Sequence, residues 1–441
     1  MHPYLGWLGM MRLGLVQMAL GALVVLTTST LNRVMVVELA FPAMLPGALV
    51  ALHYAVQCLR PRWGYGADIG RRRTSWIIGG MAVLALGGVG AALSVALMGV
   101  SPGWGIAAAT IAFTLIGIGV GAAGTNLLAL LAVRVAPERR PAAATIAWLM
   151  MIAGIAVTAG ISGGLLDPFS PARLVAVSTG VAGIAMLLVI VGVLGIEGRA
   201  PAQSRAAEER PQKAPFKEAI GEIWREPKAR QFTVFVFASM LAYSAQDLIL
   251  EPFAGLVFGM TPGESTSLAG VQHGGVFLGM ALVGVLATAW GKGRPEVLRA
   301  WTVGGCLAST AALLGLAAAG LVGPAWPLKP TVFALGVANG AFAVAAIGSM
   351  MALASSGRAK REGTRMGLWG AAQAIAFGLG GFLGTVAVDA ARLVFTDTGE
   401  AYAAVFALEG GVFLLSALLA ARMGRRMDTR PPALATPIAG E

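Results

Sequence analysis

The sequence predicts an all-α polytopic membrane protein in which twelve spanning helices form two pseudo-symmetric six-helix bundles. Three observations predict it. Of 441 residues, 57% are hydrophobic and only 12% charged, a balance foreign to soluble domains. Apolar runs of about 20 residues, the length that carries a helix across about 30 Å of hydrocarbon, recur twelve times. Polar residues that interrupt these runs in the first half of the chain find partners in the second half about 220 positions later. The 61 glycines fit the same picture, because small residues let helices approach closely in lipid.

Taken in order, the runs cover 13–37, 42–60, 75–100, 104–133, 143–165 and 173–196, then 231–256, 267–290, 300–322, 329–354, 367–391 and 402–423. Loop charge orients them, since cytoplasmic loops collect Lys and Arg. Of 32 basic residues, 28 fall in the N-terminus, the even-to-odd loops, the central segment and the tail; Arg173, Lys329 and Arg392 occupy the opposite loops, and Arg33 lies inside a run. Both termini are therefore expected in the cytoplasm. The net charge of +11 sits in these clusters, so it argues for topology and not for nucleic acid. Cys58 and Cys306 both lie in apolar segments and offer neither a disulfide framework nor a metal-binding spacing. Arg12 precedes an apolar run with no small-residue cleavage site after it, so this run reads as a retained first helix.

The expected domains are an N-terminal bundle, 1–196, a cytoplasmic linker, 197–229, and a C-terminal bundle with a short tail, 230–441. Within the polar, Pro-containing linker, Phe216, Ile220, Ile223 and Trp224 recur at helical spacing after Pro215. They suit either an amphipathic helix on the membrane face or a short solvated helix. The halves repeat weakly: His53 is answered by His273, Arg140 and Trp148 by Arg361 and Trp369, and Glu38 with Phe-Pro by Glu251 with Pro-Phe, at offsets of 220, 221 and 213. Two six-helix bundles in tandem are the architecture of the major facilitator superfamily. The loop Gly64-Tyr-Gly-Ala-Asp68-Ile-Gly70-Arg71-Arg72-Arg73 resembles that superfamily's Gly-x-x-x-Asp-Arg-x-Gly-Arg-Arg signature, one residue short and without the Arg after the Asp. Asp68, Gly70, Arg71, Arg72 and Arg73 are candidates for a cytoplasmic latch, while topology alone also accounts for the arginines.

The candidate ligand-binding residues are the polar ones that interrupt the apolar runs: Asn32, Arg33, Glu38 and His53 in the first half, Gln246, Asp247, Glu251 and His273 in the second. A charge inside a span costs about 2.5 kcal/mol or more and normally faces a partner; Arg33 either snorkels to the interface or, as expected here, meets Asp247 across a central cavity. The two histidines, beside Gln57 and Gln272, are either packing residues or ligands, and neutral imidazole can coordinate a metal such as the magnesium of a chlorin. No intrinsic metal site and no catalytic residues are assigned. Asn126, Asn339, Gln373 and Glu409 either line a cavity or satisfy one interhelical hydrogen bond each, and no role is assigned to them. Trp63, Trp76, Trp290 and Trp301, near span ends, read as interfacial anchors.

The run from LNRVMVVEL through LPGALVALHYAVQ and RPRWGYGADIGRRRT to WIIGGMAVLALGG, together with GLWGAAQAIAFGLGGFLGTVAVD at 367–389, resembles the PucC/LhaA family of phototrophic bacteria, over nearly the whole chain. That resemblance implies a non-classical facilitator-superfamily member in the inner (cytoplasmic or intracytoplasmic) membrane, not an enzyme, that assists assembly of light-harvesting complexes. It further implies bacteriochlorophyll, or a precursor, as cargo delivered to small antenna polypeptides, with no covalent cofactor. His53 and His273 would then be candidate ligands of the pigment magnesium, and Gly378, Gly380, Gly381 and Gly384 a docking face for antenna helices. Two other readings stand beside it. One is a proton-coupled secondary transporter using Asp247, Glu251 or Glu38. The other is a subunit of a bacteriochlorophyll-synthesis enzyme, which the family's labels suggest; a prenyl-transferring synthase needs clustered aspartates to hold magnesium diphosphate, and the sequence has no such motif.

Overall fold

The apolar runs become helices that nearly exhaust residues 4–59, 73–136, 139–196, 224–289, 295–355 and 362–428, which the structure, a computed structural model, describes. In order they are α1 (Trp7–Glu38), α2 (Met44–Leu59), α3 (Arg73–Met98), α4 (Pro102–Arg134), α5 (Arg140–Leu166), α6 (Pro171–Val193), α7 (Pro227–Phe258), α8 (Pro262–Ala289), α9 (Pro295–Val322), α10 (Leu328–Ser355), α11 (Glu362–Val394) and α12 (Thr398–Asp428). Eleven of these are long and apolar enough to cross a membrane, and α2 is shorter. Several begin before the apolar run does, because Pro102, Pro171, Pro227, Pro262 and Pro295 open α4, α6, α7, α8 and α9. Proline there has a preset φ and lacks only an N–H that would have no intrahelical partner.

The packing follows a two-fold rule. In the first half α1 packs on α5 and α6, α3 on α4 and α6, and α2 on α4; in the second, α7 packs on α11 and α12, α9 on α10 and α12, and α8 on α10. Each half has its own core, one drawing on Met10 to Ile196 with Leu248 added, the other on Phe232 to Ala420. The halves meet chiefly through α5 against α8 and α2 against α11, again a symmetric pair. Glycines make these approaches close: a Cβ on Gly163 would collide with Ser267, and one on Gly47 with Thr385.

Helix α1 departs from regularity twice, in π-helical turns at Leu26–Thr30 and Val34–Glu38. It ends where Ala40 takes a left-handed conformation, φ 53°, just before Pro42. The latch candidates Asp68, Gly70, Arg71 and Arg72 lie outside the described residues, as do Phe216, Ile220 and Ile223 of the linker, Trp63, Trp290 and Arg361. Arg73 opens α3 and donates to the Ala129 carbonyl of α4 at 3.2 Å.

Candidate functional site

The polar interior is built where the π-turns of α1 meet the proline of α7. Pro252 lies inside α7 and has no N–H, so the Leu248 carbonyl one turn earlier loses its intrahelical donor. Asn32 replaces it: its Nδ2 donates to Leu248 O at 2.6 Å. Asn32 is fully buried, and among the described residues its Oδ1 has no partner. Thr30 and Thr266 share a hydrogen bond of 3.0 Å between α1 and α8.

Arg33, 2% exposed, pairs with Glu38 and donates through Nη2 to the Met260 carbonyl at 2.6 Å. The ion pair exists because of the π-turn. Five residues span about 500° in an α-helix, which puts them on different faces, whereas a π-turn closes i to i+5. Gly255 leaves room for the guanidinium, since a Cβ there would stand 3.1 Å from Nη2. The expected meeting of Arg33 with Asp247 is therefore corrected. Arg33 lies alongside Gly255, eight residues from Asp247, or about 12 Å along the helix. The acid within electrostatic reach of Arg33 on α7 is Glu251.

Asp247 instead faces Gln272 of α8 and acts electrostatically on Tyr243 and on Glu409 of α12. Gln246, Glu251 and Glu409 are buried, and among the described residues the side-chain oxygens and nitrogens of all three lack hydrogen-bond partners. Three acids on two neighbouring helices thus lie in the protein interior, Glu251 and Glu409 buried and Asp247 partly so. The sequence reading gave Glu409 no role; its apolar surroundings in α12, with no second acid nearby in sequence, carried no signal of Asp247. Asn339, on α10, accepts from Ser309 Oγ of α9 at 2.8 Å, an interhelical hydrogen bond.

The histidines do not converge. His53 sits on α2, which packs on α4 and α11; His273 sits on α8, which packs on α5 and α10. Each places Nδ1 at 3.0 Å from a carbonyl of the preceding turn, Val50 and Ala269 respectively. A carbonyl only accepts, so this partner assigns the proton to Nδ1 and the lone pair to Nε2 in the neutral ring. His53 begins an aromatic path between the bundles. Its ring centroid is 4.2 Å from that of Tyr54, Tyr54 is 5.8 Å from Phe377 of α11, and Phe377 is 5.8 Å from Tyr243 of α7. Neither Tyr54, Phe377 nor Tyr243 was singled out from sequence, because each reads as an ordinary apolar-face aromatic.

The α11 glycines are also corrected. A Cβ on Gly378 would press on Tyr54, on Gly380 it would collide with Leu241 and Ser244, on Gly381 with Leu248 at 2.8 Å, and on Gly384 with Ala245 at 3.1 Å. They pack α11 against α7 and α2 and are not free to dock another chain. Among the described residues no three His, Cys, Asp or Glu side chains gather as a metal site.

Two pseudo-symmetric helical bundles with a polar seam between them define a membrane protein of the major facilitator superfamily fold. A peptide transporter of the POT type, crystallised with sulfate, superposes with a TM-score of 0.70 at 16% identity, over 96% of each chain. The sequence matches the family described as PUCC protein over residues 30–427, and the chain belongs to that family. It is 54% identical over 416 residues to a Rhodobacter capsulatus protein named bacteriochlorophyll synthase 44.5 kDa chain, covering 94% of this chain and 95% of that one. It is 30% identical to the protein PucC of the same organism, over 95% and 92% of the two chains.

Proposed function

We propose that this protein is a light-harvesting assembly factor that binds bacteriochlorophyll, or a precursor, and delivers it to antenna polypeptides in the inner membrane of a phototrophic bacterium, with both termini in the cytoplasm. The observation that carries the reading is the path His53–Tyr54–Phe377–Tyr243 across the two bundles. A flat, conjugated, magnesium-bearing macrocycle takes an axial imidazole ligand with aromatic faces beside it; His53 is the imidazole on this path, and Tyr54, Phe377 and Tyr243 are its aromatic faces. His273 would serve a second position on the other side of the seam. The name of one relative, bacteriochlorophyll synthase 44.5 kDa chain, contains the same pigment. Purification from phototrophic cells in mild detergent tests it: a far-red absorption band should copurify and be lost in His53→Leu. A band that persists in His53→Leu/His273→Leu removes both histidines from the site, and no pigment at all in the wild-type protein refutes the cargo.

A second reading, proton-coupled transport of a small molecule, is favoured by the partnerless carboxylates of Glu251 and Glu409 beside Asp247. Membrane vesicles separate the two readings: proton-driven solute uptake lost in Glu409→Gln supports transport. A role as a subunit of a pigment-synthesis enzyme rests on the name of one relative alone.

A further inference from the structure

Two aspartates, Asp167 and Asp389, take no part in the seam described above, yet each reaches from one bundle into the backbone of the other. Asp389, near the end of α11, accepts hydrogen bonds from the backbone N–H of Ala43 at 3.0 Å and of Met44 at 2.8 Å, at the start of α2. Asp167, just past the end of α5, accepts from the Thr261 hydroxyl at 2.6 Å and the Gly263 N–H at 3.2 Å, at the start of α8. The two acids stand 222 positions apart, and the helices they cap begin 218 apart. They are therefore counterparts under the same two-fold relation that matches the bundles.

Sequence explains why an outside acid is used. The N-cap of α2 is Ala43, which has no side-chain acceptor and is among the poorest capping residues. At α8 the Thr261–Glu264 pair forms a capping box, with Thr261 N donating to Glu264 at 2.9 Å and Glu264 N to Thr261 Oγ1 at 3.1 Å; the Gly263 N–H is left for Asp167. A carboxylate at a helix N-terminus gains from the aligned peptide dipoles as well as from the hydrogen bonds. Close approach is reserved at both places: a Cβ on Gly263 would strike the Asp167 carboxylate, and Gly47 lies against Thr385 one turn below Asp389.

All these contacts lie on the face opposite the two termini. In two-bundle membrane proteins the halves rock about a central seam, and opening that face must part α5 from α8 and α2 from α11. We infer that Asp167 and Asp389 form a symmetric double latch that holds the bundles together at this face, each acid exchanging its helix cap for water when the face opens. The latch works whatever the cargo and does not depend on the function proposed above.

Double electron–electron resonance in lipid nanodiscs tests it, with spin labels at Val100→Cys and Val322→Cys, exposed positions of opposite bundles on this face, after Cys58→Ser and Cys306→Ala. The parent should give mainly a short distance. In Asp167→Ala/Asp389→Ala a longer population should rise about tenfold, the effect of losing two charge-assisted caps of ordinary strength, and each single variant should rise by less. Asp167→Asn/Asp389→Asn, which keeps an acceptor oxygen at both places, stands in if the alanine pair is not monodisperse, and should show a smaller rise in the same direction. Distance distributions that superimpose on the parent in these variants, with only a lowered unfolding temperature, would show caps without a latch and overturn the inference.

Discussion

Replacing Asn32 by Leu tests the central joint between the bundles, where one amide substitutes for the donor that Pro252 cannot provide. The substitution is close to isosteric and strands the carbonyl of the buried Leu248. A stranded buried acceptor costs about 1–3 kcal/mol, while interhelical hydrogen bonds in membrane proteins average about 0.6 and reach about 1.7 kcal/mol in double-mutant cycles. Two local facts place the effect between these ranges. Pro252 offers the carbonyl no N–H four residues on, which raises the cost; the Asn32 Oδ1, among the described residues, is itself partnerless, so deleting it removes a buried acceptor and lowers the cost. A loss of about 1 kcal/mol is expected. Pro252→Ala restores an N–H four residues after Leu248, and in that background Asn32→Leu should cost less than about 0.3 kcal/mol, whatever Pro252→Ala does alone, because the cycle subtracts it. Unfolding in mixed detergent–SDS micelles, followed by tryptophan fluorescence, reads all four corners. Equal losses from Asn32→Leu in the two backgrounds would refute the account of Leu248.

Two further outcomes follow from the same geometry. Gly380→Leu should cost at least about 2 kcal/mol, as overpacking does, because the side chain must displace Leu241 and Ser244; Gly274→Leu, with nothing within 4 Å of its Cβ, should stay within about 0.5 kcal/mol, both measured by the same titration. Glu38→Gln should destabilise by about 2 kcal/mol since it leaves the buried Arg33 without its ion-pair partner, and adding Arg33→Leu should recover part of that loss, because an uncompensated buried charge costs more than its removal; a double variant less stable than Glu38→Gln would count against the pairing.

The helices themselves were legible because hydropathy marks the part of a helix that lies in hydrocarbon, and the bundles because His53 and His273 keep one offset across the halves. Helix ends were read short wherever polar turns and an opening proline extend beyond that part, as at Pro227 and Pro295. Facing was harder. A sequence read at 3.6 residues per turn assumes that every turn is α-helical, but the two π-turns of α1 each insert a residue and rotate everything beyond them. Asn32 and Arg33 follow the first π-turn and Glu38 ends the second, so the stretch richest in polar residues is the stretch where periodicity misleads most. Asp247 was the expected partner of Arg33 across the cavity; the inserted turn gave it Glu38 within its own helix. The same limit hid Asp167 and Asp389, whose hydrogen-bond partners lie on other helices, and Glu409, on which Asp247 of another helix acts electrostatically.

Pro252 shows where the information was. An interior proline announces from sequence that the carbonyl four residues earlier will need a donor, and in a membrane that need cannot be met by bulk water. What the sequence withholds is the donor's address, because the answering Asn32 is 216 residues away. Buried polar residues in such a chain are best sought in pairs, one element that breaks its backbone pattern and another that repairs it. By that standard Asn32 serves first as the repair of α7, and any part it takes in holding a ligand falls to the one group the repair leaves open, its partnerless Oδ1.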